Sequence, residues 1–264
     1  MVFRPVALVF VAGLIPVCAL AQEGKAMVDG TKTLPNSAAA QQPPAQISNE
    51  TRGDIFMARK MYREAIEAYQ QGPANDPVLL NKIGIAYHQS QQMDNARKYY
   101  ERALKAKPDY IEAMNNLGTI YYYRKSYRRA ISWYDKAIKL EPDDPKSSSI
   151  YMNRGTAWFA RKQYQKATLD YQVALKLDPD VFEHHGTFGQ ILEERNVAER
   201  ARFHFEVAKL YAKSGRTDMA LQYLRKALEE GFKDKKKMED APEFAAIKDL
   251  PEFKELMARE PRVL

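Results

Sequence analysis

Four columns of residues stepping through the chain in one common rhythm constrain its fold more than any other feature. Gly53, Gly84, Gly118 and Gly155 form the first column, and Ala65, Ala96, Ala130 and Ala167 the second. Tyr69, Tyr100, Tyr134 and Tyr171 form the third; Gly72, Ala103, Ala137 and Ala174 form the last. Every column advances by 31, then 34, then 37 residues, and Pro108, Pro142 and Pro179 each follow the last column by five. A unit this short cannot bury a core alone, so such a register specifies a stack in which neighbouring copies cover one another.

The spacing inside each unit indicates its form. Small residues belong where two antiparallel helices approach closely, because a larger side chain would hold them apart. Phe56, Tyr87, Tyr121 and Trp158, three residues after each glycine, are placed to fill the space between helices and against adjacent units. Each such ring contributes about 1.5–3 kcal/mol when buried. The prolines fall where the second helix must stop. Asp76 followed by Pro77 reads as a helix start, a capping carboxylate before a proline at the first helical position. First helices are predicted over 47–59, 77–90, 111–124 and 148–161, and second helices over 62–71, 93–107, 127–140 and 164–178. The insert Asp143 to Ser147 accounts for the longest step.

At these residues the chain resembles the tetratricopeptide family, whose unit is a helix-turn-helix of about 34 residues. The resemblance is strong over residues 47 to 180 and is carried by Leu117-Gly118-x-x-Tyr121, Ala130, Tyr134, Ala137 and Pro142. It implies an all-α fold, a right-handed α-solenoid of helix-turn-helix repeats with a C-terminal helical cap. It also implies that the first helices line a concave groove that takes up a peptide or protein segment. In that register the groove receives Asn81, Ile85, His88 and Gln89; then Asn115, Asn116, Thr119, Tyr122 and Tyr123; then Met152, Asn153, Thr156 and Phe159. Asn116 and Asn153 occupy equivalent positions, and a row of amides can donate to and accept from a peptide backbone without reading its sequence. Some relatives clamp an acidic tail with basic residues beside such asparagines, but here those places hold Ser149 and Ile85.

Beyond residue 181 two frames compete. The old one continues through Gly189, Ala201, Phe205 and Ala208 but lacks a closing proline. A frame of Ala208, Tyr211, Gly215, Ala220 and Ala227 fits better and predicts a helix pair over 198–214 and 217–230. Residues 182–197 then form an irregular connector, since Gly186 and Gly189 weaken a helix there. From 233 to 264, short helices starting at Pro242 and Pro251 would set Phe244, Ile247, Phe253, Leu256 and Met257 against the last pair as a cap.

The N-terminal residues carry a different message. Arg4, an apolar run from Val6 to Val17 and Ala19-Leu20-Ala21 match an export signal cleaved after residue 21. Residues 22–48, rich in Ala, Gln, Pro and Ser, read as a flexible leader ahead of four repeats over 49–181. Cleavage would remove Cys18, the single cysteine, leaving no thiol, which suits a periplasmic or secreted protein. The alternative keeps Cys18 as a lipid tether for a cell-envelope assembly factor, although Val17 is larger than a lipoprotein signal prefers.

The chain offers little for catalysis or cofactor binding. The formal charge of +7, or +6 without Arg4, is an ordinary basic surface rather than a nucleic-acid footprint. No apolar run after the signal is long enough to span a membrane. No zinc-protease, nucleophile-elbow or phosphate-loop motif occurs, so no catalytic residue, metal or cofactor is expected. A metal would need His184 or His185 together with Glu193 or Glu194. Lys233, Lys235, Lys236 and Lys237 form a basic stretch that could meet an anionic surface. The sequence therefore predicts a non-catalytic interaction scaffold with a protein or peptide partner.

Overall fold

A computed structural model describes residues 47–183 and 197–258. The export signal, nearly all of the leader, and His184, His185, Glu193 and Glu194 lie outside the described residues. Among the described residues there is helix and no strand. The first helices are α1 (Asn49–Ala58), α3 (Pro77–Gln89), α5 (Ile111–Tyr123), α7 (Ser148–Ala160) and α9 (Val197–Lys213). Their partners are α2 (Tyr62–Gln70), α4 (Met93–Ala106), α6 (Tyr127–Leu140), α8 (Tyr164–Leu177) and α10 (Thr217–Glu229). All lie within two residues of the predicted bounds. Each helix packs on its partner and on the next unit, the stacking of a helical solenoid.

Every turn from a first helix to its partner is built alike. The residue seven after the column-one position adopts a left-handed backbone: Lys60, Gln91, Lys125 and Lys162, with φ between 56° and 61°. Gly215 takes that place in the fifth pair with φ 76°. The amide of the following residue then reaches back to the first helix, Gln92 N–H to Tyr87 O at 2.8 Å and Ser126 N–H to Tyr121 O at 2.9 Å. These bonds satisfy carbonyls that a helix end leaves open. The start of α3 is capped as expected, Asp76 accepting from Val78 N–H at 2.8 Å and Leu79 N–H at 3.3 Å.

The glycine column exists because of the tyrosine column. In each of the first four pairs, the glycine lies under the ring of the tyrosine sixteen residues later. A Cβ on Gly118 would sit 2.5 Å from Tyr134 Cε1; on Gly84, 2.5 Å from Tyr100; on Gly155, 2.6 Å from Tyr171; on Gly53, 2.2 Å from Tyr69. The fifth pair holds Ala208 and Leu224 at the same separation, both fully buried. A methyl group on the first helix thus accompanies a smaller partner on the second.

The C-terminal segment differs from expectation in detail. Pro251 starts a helix, α12 (Pro251–Ala258), but Pro242 starts only a 3-10 turn, Pro242–Phe244. Leu250 precedes Pro251 and resists α geometry, which closes this segment before the next helix. A short helix not foreseen, α11 (Lys235–Glu239), precedes it and buries Met238. Phe244, Ile247, Phe253 and Leu256 are buried in one cluster with the fifth pair, and Met257 packs against it. Lys235, from the basic stretch, donates to Met257 O at 2.8 Å near the end of α12, where a cation is favoured.

Gly118→Ala is expected to destabilise the protein, because overpacking of about 1–3 kcal/mol outweighs a helix-propensity gain of about 1 kcal/mol. Adding Tyr134→Leu, which recreates the Ala208–Leu224 pairing, should recover part of the loss. Chemical denaturation checks both; an undisturbed midpoint for Gly118→Ala would refute the packing argument.

Candidate functional site

The first helices α3, α5 and α7 touch one another in succession, and the polar residues on the wall they form are joined to one another. Asn116 Nδ2 donates to Asn81 Oδ1 at 3.0 Å, and Asn153 Nδ2 donates to Asn115 Oδ1 at 3.1 Å. Each bond runs from two residues before a column glycine to three residues before the glycine of the preceding repeat. The same diagonal links the first two repeats by charge, Lys82 Nζ to Glu50 Oε1 at 2.8 Å. All four asparagines are buried. The amides expected to stand open to a ligand are therefore first of all joints between successive helices. A buried amide needs such a partner, because an unmade hydrogen bond costs about 1–3 kcal/mol. Fixed offsets from the glycines were the signal for this pattern, including Asn115 and Lys82.

The two threonines of the expected groove also turn inward. Thr119 Oγ1 donates to Asn115 O at 3.1 Å, so the Tyr134 hydroxyl, 3.3 Å away, must donate to it. Thr156 and the Tyr171 hydroxyl meet at 3.2 Å. In the first repeat Asp54 holds that place and accepts from the Tyr69 hydroxyl at 2.7 Å. Ile85 holds it in the second, and a side chain without a polar atom leaves the Tyr100 hydroxyl buried with no partner. Burial pushes the phenols of Tyr69, Tyr100 and Tyr134 well above their ordinary pKa, so all stay protonated.

Ile85, His88 and Tyr123 remain half-buried on the wall. The His88 ring meets Tyr123 edge-on at 5.4 Å, and Tyr122 meets Tyr123 edge-on at 6.3 Å. Burial lowers the His88 pKa to about 4, so its imidazole is neutral near pH 7. Phe159 is buried against Tyr164 and Phe203, with ring centroids 5.1 Å and 6.1 Å away. One atom of the wall is left over: Asn153 Oδ1 is buried and accepts no hydrogen bond. Among the described residues no cluster of His, Cys, Asp or Glu could hold a metal ion, and no helix is long and apolar enough to cross a membrane.

Tetratricopeptide-repeat models match residues 75–140, 116–181 and 201–230, together just over half of the chain. The chain belongs to the tetratricopeptide-repeat family. The third match falls on the helix pair α9–α10. No curated protein matches the chain. Solved structures similar to it include one described as "Crystal structure of MamA", 20% identical, covering 67% of this chain and 93% of that one with a TM-score of 0.46. Another, "MamA 41-end from Desulfovibrio magneticus RS-1", is 18% identical and covers 73% of this chain and 96% of that one with a TM-score of 0.47. The family assignment rests on the repeat matches alone.

Within this tetratricopeptide stack the tyrosine hydroxyls are not equivalent. Tyr134→Phe should lower stability by about 1 kcal/mol through loss of the Thr119 bond, whereas Tyr100→Phe should be neutral or stabilising because it removes an unpaired buried hydroxyl. Thermal unfolding of the two variants side by side checks the difference in sign; equal losses would contradict it.

Proposed function

We propose that the protein is a non-catalytic scaffold that seats a peptide or protein segment on the inner wall of its repeats, outside the cytoplasm. The observation that carries this reading is the half-buried surface of Ile85, His88 and Tyr123 on the first helices, where the His88 and Tyr123 rings meet edge-on at 5.4 Å. Asn81, Asn116, Asn153, Thr119 and Thr156 hold the wall in shape beneath that surface, while Phe159 anchors its end in the aromatic core. Partly exposed apolar and aromatic side chains of this kind can anchor a bound segment. Neutral His88 suits an uncharged or weakly polar segment better than an acidic one.

Peptides selected from a displayed random library on the purified protein should bind with affinity reduced by about tenfold or more by Tyr123→Ala or His88→Ala. Exchange of the remote, exposed Lys105 for Gln should leave that affinity unchanged. Selected peptides indifferent to the wall variants would remove the groove from the proposal.

The location rests on the N-terminal residues. Mass spectrometry of protein recovered from its native cell should find a chain beginning at Gln22. An intact Met1 would overturn export, and a lipidated Cys18 would replace a free scaffold by a tethered envelope assembly factor.

A further inference from the structure

The rim where first helices turn into second helices carries a concentration of charge that the groove does not use. Lys125, Arg128, Arg129 and Arg161 line one concavity of about 540 Å³, with Ser126 and Tyr127 completing it. Among the described residues none of these four cations forms an ion pair. Arg129 lies over the Tyr121 ring at 5.8 Å and Arg161 over the Trp158 ring at 5.3 Å, so both stems are braced. Neighbouring cations are neutralised instead: Arg124 by Asp94, Arg97 by Glu101, Arg154 by Asp135 and Asp170.

The repeat pattern does not require this charge. At the matching places the second repeat has Gln91, Gln92, Met93, Asp94 and Asn95. Nor does it stabilise the helix that carries it. The first turns of α2, α4 and α10 hold Glu64, Asp94 and Asp218, whereas α6 begins with Arg128 and Arg129, cations at the end of a helix that disfavours them. Four like charges around one hollow repel one another unless an anion sits between them.

We infer that this concavity is a binding site for a phosphate group carried on an organic body. Three guanidinium forks and an ammonium match the oxygens of a phosphate, which concentrates up to two charges on one atom group. A carboxylate carries one charge, and several side chains of an acidic peptide would have to crowd into the same hollow to balance it. The phosphate could come from a soluble ester or from a lipid headgroup, and the chemistry of recognition is shared.

Calorimetric titration of the purified protein with pyrophosphate tests the site. The wild type should bind, and Arg128→Gln with Arg161→Gln should weaken binding by about tenfold or more, since each charge-assisted pair is among the stronger hydrogen bonds. Lys105→Gln with Lys139→Gln, exposed elsewhere, should change it less than about twofold, as expected of distant charges screened by salt. Sedimentation with phosphatidylcholine vesicles, with and without phosphatidylglycerol, separates the sources. Capture by the anionic vesicles that pyrophosphate reverses assigns a headgroup, and binding of glycerol 3-phosphate in the same titration without vesicle capture assigns a soluble ester. Absence of pyrophosphate binding, equal losses in the two double variants, or tighter binding of a polyglutamate peptide than of pyrophosphate would overturn the assignment.

Discussion

The nesting of a tyrosine ring over a glycine backbone is the contact on which the rest of this molecule depends. It sets how closely the two helices of a repeat approach, with no room for even a methyl group between them. The ring then lies at a fixed height, and its hydroxyl is presented at the residue following the glycine. Asp54, Thr119 and Thr156 meet that hydroxyl, so one buried contact also decides which first-helix residues turn inward. The fifth repeat shows the contact is a matched pair rather than a fixed sequence, since alanine and leucine replace glycine and tyrosine together.

Between repeats two kinds of interaction divide the task. Apolar clusters link each second helix to the next unit and provide non-directional stabilisation that grows with buried area. The diagonal bonds among Glu50, Lys82, Asn81, Asn116, Asn115 and Asn153 are directional, and they fix the register of one first helix against the next. The face of the first helices is therefore shaped by hydrogen bonds that its own residues make with one another.

The fold was legible because its determinants are local and repeated. Gly118 and Tyr134, Ala130 and Ala137, and the proline stops recur at fixed offsets, so even one sequence holds several independent copies of the message. The wall was only partly legible. Asn116 and Asn153 stood out as equivalent, but whether an amide faces a ligand or a neighbouring helix depends on a pairing across about one repeat length. That pairing joins Asn153 to Asn115 rather than to Asn116, a one-residue shift invisible without the helix stacking. The basic hollow was missed for the same reason: Arg161 is distant from Lys125, Arg128 and Arg129 in sequence and joins them only when the turns of adjacent repeats align.

The joint ahead of the fifth repeat departs from the others. There the diagonal places fall to Met152 and Glu206, and the boundary is filled by Phe159, Tyr171, Phe182, Phe203 and Tyr211 in edge-on contacts. Rings packed this way gain chiefly from the area they bury, whereas paired amides depend on the distance and angle of one bond. The first four repeats are thus tied at their first helices by directional bonds, and the fifth is held by apolar burial, so a change of solvent that weakens one kind of joint need not weaken the other to the same degree.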